Sequence, residues 1–100
     1  MITDKGKMLE RLIHLAHANG IKVAFVPFQG NDGLIKSTAN QTRIGLRADM
    51  GIDDYLFVLA HEIAHFFLHN GINVKDSCRE KEYEEQANKA AKMLLQAIST

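Results

Sequence analysis

Hydrophobic positions along the chain mark three helical stretches and, between the first two, three short runs with strand character. From Lys5 to Ala18 the apolar residues Met8, Leu9, Leu12, Ile13, Leu15 and Ala16 recur at helical spacing and give one apolar face. Thr3 or Asp4 can cap that helix, and Asn19-Gly20 can stop it, because both residue types tolerate a left-handed backbone. His14 and His17 on it read as surface or boundary residues. Ile21 to Phe28 is β-branched and aromatic and predicts a strand that ends near Pro27. Gln29 to Gly33 reads as a loop. Gly33 to Ser37 and Thr42 to Leu46 predict two more strands around a polar turn at 38–41. The three strands are expected to form a small antiparallel sheet.

After a connection at Arg47 to Ile52, a second helix is predicted with Asp53 as its N-cap and Asn70-Gly71 as its stop. Residues from Phe57 to Leu68 make it apolar nearly all round, which predicts a helix at the centre of the fold. A loop over Ile72 to Ser77 leads to a long third helix from about Arg79 to Ile98. Its buried stripe is expected at Ala87, Ala90, Ala91, Leu94, Leu95 and Ile98. The fold class is therefore α+β: an N-terminal helix, the sheet, a central helix and a long C-terminal helix.

Composition narrows the function classes. A chain of 100 residues, 46% hydrophobic and 24% charged, is expected to be one ordinary globular domain spanning residues 1–100. The formal net charge is zero, so a direct nucleic-acid partner or an anionic membrane is not expected. Cys78 is the sole cysteine, which excludes an intrachain disulfide framework. No signal-peptide core or membrane-length apolar run is visible, and the expected location is the cytoplasm.

The chemistry sits in the central helix. His61-Glu62-Ile63-Ala64-His65 is an H-E-x-x-H pentad. Side chains four apart lie on one helix face, so both imidazoles can grip one ion from the same side. Zinc suits such a pair, because it accepts neutral histidine nitrogens and carboxylate oxygens. Glu62 lies between the histidines, where it can take a proton from the attacking water. Two histidines and a glutamate in an apolar helix are costly unless something satisfies them. A metal ion would satisfy all three; otherwise they are hydrogen-bonded core histidines and an exposed acid.

A zinc hydrolase usually has a third protein ligand. His69 continues the stripe, but it lies about 12 Å along the helix axis from His61, too far for one ion to join both. The extended metzincin pattern fails, because Leu68 and Gly71 stand where its glycine and last histidine belong. His69 is expected at the helix end or cleft rim. On the third helix, Glu84 lies on the buried stripe, three residues before Ala87 and seven before Ala91. That makes Glu84 the expected third ligand, with Glu80, one turn nearer the helix start, as the alternative. Cys78 is a conceivable fourth ligand of a purely structural site. Asn88, one turn after Glu84, could hold a liganding imidazole by its second nitrogen.

With these residues in view, the chain resembles the ImmA/IrrE metallopeptidases. Phe57 to His65, with Leu68-His69 after it, looks like that family's zinc helix. Glu84-Glu85-Gln86-Ala87-Asn88 resembles its downstream E-x-x-A-N segment, whose acid is the third ligand. Ile44-Gly45-Leu46 resembles the strand before the zinc helix, and the likeness runs from about Ile21 to Leu95. The resemblance implies a zincin-like fold and a compact stand-alone member, with a phage as a natural source. It also implies a helix-turn-helix repressor as protein substrate. The chain departs from many members at Ala90, where phenylalanine is common, and in having no room for an extra domain.

The expected activity is therefore zinc-dependent peptide hydrolysis. His61, His65 and Glu84 would be the ligands, Glu62 the general base, and His69 or Tyr83 would assist the oxyanion. Thr42 to Leu46 could pair with an extended substrate. The alternative is a non-catalytic zinc-bearing module that binds a regulator without cutting it.

Overall fold

A computed structural model describes residues 4–27, 30–69 and 78–99 of the chain. Helix α1 spans Lys5–Ala18, strands β1, β2 and β3 span Ile21–Val26, Gly33–Ser37 and Thr42–Arg47, helix α2 spans Ile52–His69, and helix α3 spans Glu80–Ile98. The expected α+β order is present. Phe28, Gln29, Asn70, Gly71 and the loop over Ile72 to Ser77 lie outside the described residues, as does Thr3.

Local chemistry accounts for most element ends. Asp4 caps α1 by accepting a hydrogen bond from the Lys7 amide at 3.2 Å. Such a cap stabilises a helix by about 1 kcal/mol. Gly20 takes the left-handed backbone that ends α1, with φ at 75°. The turn between β2 and β3 closes through the Thr38 amide donating to the Gln41 carbonyl at 2.7 Å. Asp53 is not the N-cap of α2: the helix already includes Ile52, and the Tyr55 amide donates to the Gly51 carbonyl. Asp53 sits in the first turn, where a negative charge favours the helix dipole, and pairs with Lys5 at 2.7 Å.

The sheet corrects the antiparallel expectation. Its order is β1-β3-β2, with β2 antiparallel to β3 but β1 parallel to it. The hairpin β2–β3 was legible from its polar turn. The placement of β1 beside β3 was not, because periodicity gives a strand's faces and not its neighbours. Strand β3 carries Ile44 and Leu46, both fully buried, and takes the central place. It is therefore paired on both sides, and β2 is an edge strand. The expectation that residues 42–46 pair with a substrate strand fails on this topology.

The core lies between the sheet and the helices, with Leu12, Ala16, Ile21, Ile44, Leu46, Leu59, Ala60 and Ile63 all essentially inaccessible. Helix α2 is not buried all round: Phe57, Phe67 and Leu68 are exposed. A chain this short cannot surround a helix completely. Both helices bury small residues, Ala60 and Ala64 on α2 and Ala87 and Ala91 on α3. Met93 and Glu80 of α3 face outward.

Strand β2 comes close to α2 at its first residue. A Cβ on Gly33 would overlap Val58 Cγ1 and lie 3.5 Å from Glu62 Cγ. Gly33→Ala is expected to destabilise the fold by about 1–3 kcal/mol through this overlap. The same change in a Val58→Ala background should cost less, as urea denaturation of the four-member cycle would show. Equal costs in both backgrounds would disprove the contact.

Candidate metal centre

Helix α2 presents His61, His65 and His69 on one stripe, and α3 lays Glu84 across the first two. His61 Nε2 is 3.0 Å from Glu84 Oε2, and His65 Nε2 is 3.2 Å from Glu84 Oε1. The two Nε2 atoms are themselves 3.0 Å apart, with the rings edge to face at 84°. His65 is buried, His61 and Glu84 half-buried. The residues that sequence reasoning selected from two helices are thus together at one point.

The donor set fits a small cation. An ionised carboxylate only accepts hydrogen bonds, and each neutral imidazole nitrogen facing it carries either a proton or a lone pair. Converging acceptors repel unless positive charge sits among them, whether protons or a metal ion. Donor atoms of His61, His65 and Glu84 all lie within 4.8 Å of one another, so the three could hold a metal ion. Tetrahedral zinc with bonds of 2.0–2.1 Å would space its donors about 3.3–3.4 Å apart. The observed separations of 3.0 to 3.2 Å need to open only slightly.

Electrostatics favour the ligating form of His65. Burial, and next the neighbouring His61, push its pKa below the ordinary imidazole range, while Glu84 pulls it upward. The net direction favours a neutral ring, the form that binds metal.

The surroundings of the cluster differ from expectation at His69 and Asn88. His69 is at the end of α2 as expected, but it is buried at 4% exposure and not on a rim. Both its ring nitrogens are engaged, one by His65 and one by Gln86, and Tyr83 packs on its face with centroids 4.5 Å apart. That leaves neither nitrogen of His69 available for an oxyanion. The nitrogen of His65 that faces away from Glu84 meets His69 and not Asn88, the residue that could have held a liganding imidazole. Cys78 is exposed and is not among the clustered donors, and Glu80 is exposed as well. Gln86 gave no signal in the sequence, because its position lies off the buried stripe of α3.

Glu62 is half-buried on α2, next in sequence to His61 and close to Gly33 of the edge strand β2. It therefore lies between the histidine cluster and the sheet edge. Two helix-borne imidazoles, an acid from a second helix and an intervening glutamate, beside a small sheet, are consistent with a zincin-like fold. A family model described as the IrrE N-terminal-like domain, Peptidase_M78, matches residues 16–96, and the chain belongs to this family. Comparisons with curated proteins and with solved structures gave no match.

Zinc supplied to the metal-free protein is expected to raise its melting temperature. At 100 times its Kd a ligand adds about 2.7 kcal/mol, and each kcal/mol shifts a domain of this size by about 4–8 °C. Differential scanning calorimetry should show this rise in wild type and its near loss in His61→Ala, His65→Ala and Glu84→Ala. An undiminished rise in Glu84→Ala would move the third donor elsewhere.

Proposed function

We propose that the chain is a zinc-dependent endopeptidase of the cytoplasm. The observation that carries this reading is the meeting of His61, His65 and Glu84, from two helices, beside Glu62. His61, His65 and Glu84 would hold zinc, which when bound polarises a carbonyl and makes water nucleophilic near neutral pH. Glu62 accepts the proton of the attacking water and passes it to the leaving amine. An extended substrate would add to the outer edge of β2, whose first residue lies against Glu62. Backbone pairing there would present a peptide bond to Glu62 whatever the side chains, which suits a locally unfolded segment.

The substrate in this reading is a helix-turn-helix repressor, as the resemblance to the ImmA/IrrE proteins implies. The formal charge of zero supports a protein target over DNA itself. A phage or other mobile element is the natural genetic setting for such a pair.

One experiment separates a peptidase from a module that only binds. Wild type and Glu62→Gln are each co-expressed with the neighbouring repressor, and the repressor is followed by mass spectrometry. Glu62→Gln should retain zinc and fold while losing about 10²–10⁴-fold in cleavage rate, the usual contribution of a general base. Discrete repressor fragments are expected with wild type alone. A repressor left intact beside zinc-loaded wild type rules out this target, and equal effects of both proteins without a cut favour binding.

A further inference from the structure

His69 is buried against the cluster, yet the proposed chemistry does not use it. Its Nδ1 lies 3.1 Å from Nδ1 of His65, and its Nε2 lies 2.8 Å from Gln86 Oε1. Tyr83 and Gln86 are one turn apart on α3, so they meet His69 as neighbours, one at its face and one at its edge. The Arg79 guanidinium lies over the Tyr83 ring, 5.4 Å from its centroid.

With the Gln86 amide oxygen turned toward His69, these contacts leave one arrangement of protons for neutral rings, and a flipped amide would reverse it. The Gln86 amide oxygen only accepts, so His69 donates from Nε2–H. A neutral His69 then carries a lone pair on Nδ1. Its short contact with His65 is closed only if His65 donates from Nδ1–H. His65 in that tautomer has a lone pair on Nε2, the nitrogen that faces His61 and Glu84. We propose that Gln86 and His69 are positioning residues, a two-step relay that fixes the tautomer and ring plane of His65 so that Nε2 is held ready for a metal ion. His61 has no such support among the described residues: its Nδ1 is buried without a hydrogen-bond partner. The two imidazoles are therefore unequal, with His65 the anchored ligand and His61 the adaptable one.

This inference rests on the metal reading of the site. Its test uses the full chain with zinc as the probe. Zinc Kd values are measured by chelator competition for wild type, Gln86→Met, Gln86→Glu and His65→Ala, with metal-free melting temperatures as the control for folding. Gln86→Met leaves the buried His69 Nε2–H without its acceptor and should melt a few degrees lower without metal, whereas Gln86→Glu should melt near wild type, so zinc affinities are compared at a temperature where every variant is folded. Gln86→Met removes the acceptor at similar volume and should weaken zinc about 10- to 100-fold, the usual effect of losing a ligand's supporting partner. Gln86→Glu keeps an acceptor and should restore affinity to within a few-fold of wild type. Ring ¹⁵N shifts of the zinc-loaded wild type should show His69 protonated on Nε2, and Gln86→Met should lose that fixed tautomer.

Unchanged zinc affinity in Gln86→Met would overturn the relay. So would equal losses in both Gln86 variants, which would mean a packing role, or a wild-type His69 protonated on Nδ1. Failure of wild type to bind zinc, or binding that survives His65→Ala, would overturn the metal reading and the relay with it.

Discussion

The packing of α3 against α2 is the constraint on which the rest of this structure depends. Small residues are buried on both helices, Ala60 and Ala64 on α2 and Ala87 and Ala91 on α3. A close seam brings a carboxylate within 3.0 to 3.2 Å of two imidazole nitrogens. The same seam has an electrostatic requirement. The half-buried Glu84 carboxylate and two imidazole nitrogens converge there, and converging acceptors repel unless positive charge sits among them. Packing thus creates a problem that a bound cation would solve, and the cation would in turn tie the two helices together.

Much of this was legible because helices announce their faces. Glu84 was separable from Glu82 and Glu85 by its spacing from Ala87 and Ala91, which are fully buried. The pentad at 61–65 needed only the rule that positions four apart share a face. The helix bounds Lys5–Ala18 and the strand bounds Gly33–Ser37 also followed from local pattern and turn chemistry. The sheet order did not follow. A strand's alternation is the same whether its neighbour runs parallel or antiparallel, and the link between β1 and β3 contains another strand. The expectation that β3 would take a substrate strand failed for that reason, because β3 is already paired on both sides.

The support of the site was illegible for a different reason. Gln86 lies off the inward stripe of α3, and nothing in its spacing separates it from a solvated glutamine. Its contact with His69 exists because a long side chain reaches back across the seam. Asn88 was the more obvious candidate, one turn from Glu84, but supporting contacts depend on side-chain reach and direction more than on helical phase. His69 was rightly placed at the helix end, yet its burial could not be read from a position beside exposed Phe67 and Leu68.

The site also divides its labour by direction. The histidines and Glu84 face the α2–α3 seam, whereas Glu62, one residue on from His61, turns toward the start of β2. A helix advances about 100° per residue, so an acid at the second position of the pentad points away from the face its two histidines share. In the proposed reaction that separation is useful. The donors that hold an ion lie behind it, and the base lies on the side where a strand could be added. Gly33 lets the edge strand come close enough to Glu62 for that geometry, because a side chain there would overlap Val58. Stability and chemistry therefore meet at different contacts of one helix: the seam with α3 holds the ligands, and the approach of β2 sets where a substrate strand would run. A change at Gly33 should disturb the second without dismantling the first.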